Sequence, residues 1–305
     1  MVSTLDDSKR WNPHPIAGAK RKLVLTAFSR ARTVFVPAAF LVLLVIAAVF
    51  PEQLAPYNLA AHDLANNVEP PVFMPGGSLD HLLGTDQLGR DVLTRIIYGA
   101  RISLAVGAAS VLIAGTVGVI LGLVAGYWGA WIDELITRLA DVQLAFPYLL
   151  LAIAVVAVVG PGIVTIIMVL GLTRWTVYVR TVRGDVLSVR EKEYLTAARC
   201  VGASDLRIVF HHVLPNVIQP TIVVATFTFA NNIVAEASLS FLGLGIPPPT
   251  PTWGGMLAEG RQYLTSAWWI AAFPGLALAL TVLSANLLGD WLRDELDPRV
   301  KRGRI

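Results

Sequence analysis

One carboxylate stands out by its position. Glu236 is the lone acidic residue inside or beside an apolar run of about Val217–Ala237, with Asn231 and Asn232 one turn earlier. An ionisable side chain at membrane depth is costly and is a functional candidate by default. Three readings are open for it: contact with a transported substrate, hydrogen bonding between helices, or a run that ends near Glu236 so that the carboxylate meets water or a backbone donor. His81, His211 and His212 are the other titratable candidates. Adjacent His211 and His212 would project about 100° apart on a helix. With no carboxylate or cysteine set around them, they are expected to make packing and polar contacts and to hold no metal. The usual catalytic sets are missing. No G-x-x-x-x-G-K-[ST] phosphate cradle occurs, and the dipeptide Gly-Lys is nowhere in the chain. H-E-x-x-H is absent, and the apolar runs pair no nucleophile with a base. The single cysteine, Cys200, allows no intramolecular disulfide and no thiolate cluster. No catalytic residue, cofactor or metal of its own is expected in this chain.

A second constellation is a pattern of packing. Tyr194, Ala197, Ala198 and Val201 fall at i, i+3, i+4 and i+7, one apolar stripe of a helix. Ser188 to Glu191 has the spacing of a capping box just upstream. Gly202 interrupts, with Ser204 or Asp205 available as a new N-cap. Leu206, Val209, Phe210 and Val213 repeat the stripe, and Pro215 is expected to stop it. Helix, glycine turn, helix makes a compact knob. The small Ala197-Ala198 pair would let another surface approach its backbone closely.

The elements that position these residues belong in a bilayer. Of 305 residues, 55% are hydrophobic and 15% charged, against about 25% charged in soluble domains. Ile102–Trp128 and Val142–Thr173 carry no charge at all, and a spanning helix needs ~20 apolar residues. Six spans are expected. The first is Val34–Phe50, and the second, about Ile102–Gly126, is rich in glycine (Gly107, Gly115, Gly118, Gly122, Gly126) that lets helices approach closely. Gly160-Pro161-Gly162 divides the 32-residue run Val142–Thr173 into the third and fourth. The fourth must extend past Arg174 to about Val179, so Arg174 should face protein or snorkel. The fifth and sixth are about Val217–Ala237 and Leu264–Gly289. An amphipathic stretch with Ile132, Leu135, Ile136 and Leu139 reads as an interfacial helix before the third span. This division puts 20 of the 24 Lys and Arg residues on one side, leaving Arg90, Arg95, Arg101 and Arg261 on the other. By the positive-inside rule both termini are cytoplasmic. The basic excess therefore serves topology in lipid and does not indicate nucleic acid. The expected organisation is a basic cytoplasmic segment 1–33, a first helix 34–50, an extracytoplasmic loop 51–98, a five-helix core 99–290 with a cytoplasmic loop 180–215, and a cytoplasmic tail 291–305.

With these residues in place, a family resemblance is specific. Glu193 to Gly202 (EYLTAARCVG), followed by His211 to Asn216 (HHVLPN), resembles the "EAA…G…LP" loop of ABC importer permeases, with Thr196 at the place of the glutamate and His212 at that of the isoleucine. Leu83 to Asp91 (LGTDQLGRD), Glu236 to Gly245 (EASLSFLGLG) and Leu292 to Arg299 (LRDELDPR) are similar to the C-type subunit of the dipeptide/oligopeptide/nickel branch. The resemblance implies an all-α type I ABC importer permease fold in the bacterial plasma (inner) membrane. It also implies a coupling helix, carried by Glu193, Tyr194, Ala197, Ala198, Gly202, Leu206, Phe210, Leu214 and Pro215, that docks on a cytoplasmic ATPase. The implied partners are a homologous second permease, two cytoplasmic ATPases that hold ATP and Mg, and an extracytoplasmic binding protein that largely chooses the substrate. Peptides are the expected cargo, with nickel chelates, glutathione or antimicrobial peptides as alternatives within the same machine. A stand-alone secondary transporter or channel is the competing class. It would show inverted repeats or several intramembrane charges, where this chain has Glu236.

Overall fold

The computed structural model describes residues 34–296 and is all-helical across them. The basic segment 1–33 and tail residues 297–305, including Asp297 to Arg299 of the last motif, lie outside the described residues. In chain order the helices are α1 (Val34–Val49), α2 (Pro51–Leu54), α3 (Val92–Trp128), α4 (Ala130–Leu144), α5 (Tyr148–Val159), α6 (Ile163–Arg190), α7 (Glu193–Cys200), α8 (Asp205–Ile208), α9 (Leu214–Phe241), α10 (Trp253–Gly260) and α11 (Trp269–Leu296). Among the described residues, four helices are long and apolar enough to cross a membrane: α3, α6, the continuous run Asp205–Phe241, and α11. The pair α4 and α5, bent by 83°, makes a fifth crossing at most, and α1 is a shorter apolar helix. The bend separates the expected interfacial helix from the third span. α4 leaves Trp131, Leu135 and Leu139 exposed and buries Ile136 and Ala140.

Several boundaries differ from those expected, each for a local reason. α3 starts at Val92, ten residues before the charge-free run, because the Asp91 carboxylate caps it by accepting from Thr94 N at 2.7 Å. The loop after α2 therefore ends at Asp91, and Arg95 and Arg101 are helical. α6 runs unbroken through Ser188 to Arg190, so Ser188 caps nothing and Lys192 occupies the N-cap of α7. Arg174, inside α6, faces protein as required, with its guanidinium 3.9 Å from the centroid of the Tyr148 ring. Pro215 does not stop a helix. The chain widens into a π-turn over Val209–Val213, and Pro215 then falls in the first turn of α9, where a missing N–H costs little. α11 begins at Trp269, after a turn in which Ser266 N and Ala267 N both bond to Tyr263 O.

The centre of the bundle is the α3–α6 contact. Gly118, Gly122 and Gly126 face Tyr178, Val182 and Val186, two stripes of period four in register. A Cβ on Gly118 would sit 2.3 Å from Tyr178 Cβ and 2.7 Å from Trp175 O, and main chain cannot yield. Gly118→Leu is therefore expected to cost ~2 kcal/mol or more, read as a lower thermal midpoint in detergent. Gly115→Ala, whose nearest neighbour would be Tyr178 Cε1 at 3.5 Å, should be nearly silent. Equal midpoints for the two variants would contradict this packing.

Candidate functional site

The knob forms as a helix, a turn and a second helix, and it is organised by which residues its base buries. Leu195, Ile208, Val209 and Val213 join Val182, Val186 and Val189 of α6 and Leu123 and Tyr127 of α3 in one apolar cluster, with Ala198, Ala203 and Leu214 packed against it. Polar clamps fix the same base. Tyr127 donates its hydroxyl to Asp205 Oδ1 at 2.6 Å, the Arg199 guanidinium lies over the Tyr127 ring, and Arg190 donates to the carbonyl of Gly126 at the end of α3. Gly202 turns the chain at φ +84°, a conformation that β-branched residues resist.

What the base does not bury is the tip. Tyr194 (42% exposed), Val201 (85%), Leu206 (61%) and Phe210 (58%) face away from the bundle, with Ala197 exposed among them. The expected stripe thus divides. Ala198, Val209 and Val213 turn inward with Leu195, while Tyr194, Ala197, Val201, Leu206 and Phe210 turn outward. Glu193 and Pro215 are exposed at the edges, and Leu214 is half-buried beneath. His212 stands beside Tyr194, with ring centroids 6.3 Å apart, and its carbonyl accepts from Asn216 Nδ2. Four large apolar side chains on a rigid, polar-clamped base make a surface suited to seat in a groove.

The polar residues of α9 separate as well. Glu236 is fully buried; Ser240 donates to its Oε1 at 2.8 Å and Ser103 of α3 to its Oε2 at 3.4 Å. Asn232 is also buried and donates to Ser110 Oγ of α3 at 2.8 Å, while Asn231 is exposed. Helix α9 continues five residues past Glu236, so the carboxylate meets α3 and its own next turn instead of water at a span end. His81 does not approach these residues. Its Nδ1 lies 3.0 Å from Asp91 Oδ1 at the start of α3.

A third cluster escaped the sequence reading. Arg95 Nη1 bridges Asp86 Oδ2 (2.6 Å) and Glu259 Oε2 (2.7 Å), and Arg90 spans the same two carboxylates at 2.6 and 2.9 Å. Asp86 also accepts from the backbone N–H of Leu88 and Arg90 through Oδ1. Trp269 Nε1 donates to Thr85 O at 3.1 Å. The LGTDQLGRD segment thereby ties the loop and the start of α3 to α10 and α11. Burial opposes the charge on Glu259, but Arg95 and Arg90 outweigh it and hold this carboxyl below its ordinary value.

The comparisons agree with this architecture. Residues 118–302 match the family described as binding-protein-dependent transport system inner membrane component. The chain is 46% identical over 262 residues to a di/tripeptide transport system permease protein DppC of Pseudomonas aeruginosa (strain UCBPP-PA14), covering 86% of each chain. It is 45% identical over 257 residues to a dipeptide transport system permease protein DppC of Alkalihalophilus pseudofirmus, covering 84% of this chain and 83% of that one. To a glutathione transport system permease protein GsiD of Escherichia coli O6:K15:H31 it is 45% identical over 277 residues, covering 90% and 89%. A solved chain of the MetNI methionine ABC transporter, in an inward-facing conformation, superposes with TM-score 0.54 at 18% identity, covering 66% of this chain and 96% of that one. That likeness identifies the type I importer permease fold. With helices that suit the bilayer, relatives close to half identical and a family match over most of its length, the chain belongs to the inner-membrane components of binding-protein-dependent transport systems.

Proposed function

We propose that this chain is one of two permease subunits of an ATP-driven importer of di- and oligopeptides, and that its α7–α8 knob seats in a cytoplasmic ATPase. The observation that carries the coupling role is the exposed apolar tip, Tyr194, Val201, Leu206 and Phe210, on a base buried against α3 and α6. Nucleotide-driven movement of an ATPase reaches the bundle only through an element that does not deform, and this base is packed and clamped from two sides. A homologous permease completes the translocation path, the ATPases hold ATP and Mg, and an extracytoplasmic binding protein delivers the peptide. The exposed Leu64, Phe73 and Leu79 of the loop 51–91 offer that protein or the second permease an apolar contact.

The test is uptake into proteoliposomes by the chain assembled with these partners. Dipeptide entry should require both ATP and the binding protein, and the purified chain alone should hydrolyse no ATP. Uptake by this chain by itself, driven by an ion gradient, would replace the reading with that of a secondary transporter. Topology gives an independent check. Reporter fusions after Ala61 and after Ser204 should report opposite sides of the membrane, the second cytoplasmic. Same-side reports would break the six-span arrangement.

A further inference from the structure

Three of the four arginines that the basic-residue split places outside converge on one cavity. Arg90, Arg95 and Arg101 line a space of about 530 Å³ between the outer part of α3, loop residues 58–62 and the proline-rich linker 249–251 before α10. No carboxylate lines this cavity. Arg90 and Arg95 spend their charge on Asp86 and Glu259 behind its wall. Arg101 is different: it is exposed and has no ion pair among the described residues. Its setting is not an ordinary solvated helix face, because Ile102, Leu59 and Pro251 give the concavity apolar walls while Tyr98 and Asn58 supply polar tips. A mostly apolar recess of 300–1,000 Å³ with a few convergent polar groups is the usual form of a small-ligand site. A free guanidinium at its edge selects a planar, bidentate anion.

We propose that this cavity is an outer receiving site that takes the C-terminal carboxylate of an incoming short peptide, with Arg101 as its counter-ion. The inference rests on the peptide-import reading above and adds the chemical group recognised. Charge steers the ligand here as well. With two of three cations neutralised from behind, the recess keeps one net positive charge and apolar walls that weaken its screening. A peptide arriving as a zwitterion would enter carboxylate first.

The experiment uses the whole importer in proteoliposomes with internal ATP and its binding protein. The probes are a dipeptide with a free C-terminal carboxylate and the same dipeptide as its C-terminal amide. Each initial rate is divided by the measured occupancy of the binding protein, so that the binding protein's own preference cancels. Wild type is expected to favour the free acid. R101Q is expected to lose about tenfold in free-acid uptake, the scale of one charge-assisted hydrogen bond, with amide uptake unchanged within about twofold. R101K should recover part of the preference. An unchanged acid-to-amide ratio in R101Q overturns the proposal. So does an equal fall for both probes, the signature of Arg101 pairing with an acidic residue of a partner protein. If wild type imports neither probe although its ATPases respond to the loaded binding protein, the peptide-import reading itself fails, an outcome distinct from the other two.

Discussion

Ala197→Asp is expected to leave the protein folded, inserted and paired with its second permease, yet unable to couple ATP hydrolysis to uptake. Ala197 is exposed on the outward half of the knob, beside Tyr194 and Val201, so the substitution disturbs nothing in the bundle. In the assembled importer the same side chain would be a desolvated, unpaired carboxylate at a packed contact. Such a charge costs ~3 kcal/mol or more, about a hundredfold in affinity. The expected phenotype is a complex that loses its ATPases on purification, or one that hydrolyses ATP without importing peptide. Ala198 cannot provide this test, because it packs inward on the cluster with Leu195 and Ile208; a charge there would collapse the knob before any docking was probed. Leu195→Ala supplies the contrasting case. It hollows the base at a cost of ~2–5 kcal/mol, and should reduce coupling through loss of knob order, visible as protease sensitivity that Ala197→Asp does not share. Arg138→Gln, in an exposed α4 pair with Glu134, should transport within about twofold of wild type, as exposed pairs contribute little. Retention of ATPases and wild-type uptake by Ala197→Asp would reduce the knob to a connector.

The residues that declared themselves in the sequence did so through local geometry. Gly115, Gly118, Gly122 and Gly126 of α3 mark the α6 contact because a missing side chain is visible wherever its partner lies. Gly162 precedes α6 in extended backbone, and Gly160 divides α5 from α6 at a φ of +99° that few other residues adopt. Gly202 turns the knob for the same reason. Where the reading failed, competing interactions decided the outcome. Hydropathy hid the start of α3, because Arg95 and Arg101 break the apolar run while Asp91 caps the helix ahead of them. Pro215 reads as a stop by its missing N–H, but the π-turn at Val209–Val213 absorbs it. The apolar stripe of the knob was legible while its direction was not: Leu195, off the stripe, is the residue that anchors α7. The Asp86–Arg90–Arg95–Glu259 cluster had no local signature, since Arg95 and Glu259 are 164 positions apart. The available hint was that Glu259 is the one acidic residue between Glu236 and Asp290.

That cluster carries the second large effect. Arg95→Met should destabilise the protein more than replacing the whole charge set does. Asp86 is fully buried and the Arg95 side chain is 4% exposed, so removing Arg95 leaves two carboxylates facing each other with Arg90 as the remaining cation. Breaking a buried pair in this way costs ~3–5 kcal/mol, a fall of ~10 °C in thermal midpoint for a chain of this size. Loss of the tie between the loop, α3 and α10 should accompany it, seen as faster proteolysis within 51–91. In the quadruple variant Asp86→Asn, Arg90→Met, Arg95→Met, Glu259→Gln no charge is left uncompensated, and the loss should be smaller than for Arg95→Met alone, a non-additivity expected only of coupled charges. Acid should act on the same cluster through Glu259. Because the folded protein holds the Glu259 carboxyl below its ordinary value of 4.5, its contribution is complete above that value and is lost as pH falls through the lower, folded one. Glu259→Gln should therefore flatten the stability profile below about pH 4.5. A quadruple variant less stable than Arg95→Met, or an acid profile indifferent to Glu259→Gln, would mean that apolar packing of Trp269 and Trp253 secures this end of the bundle and that the four charges do not.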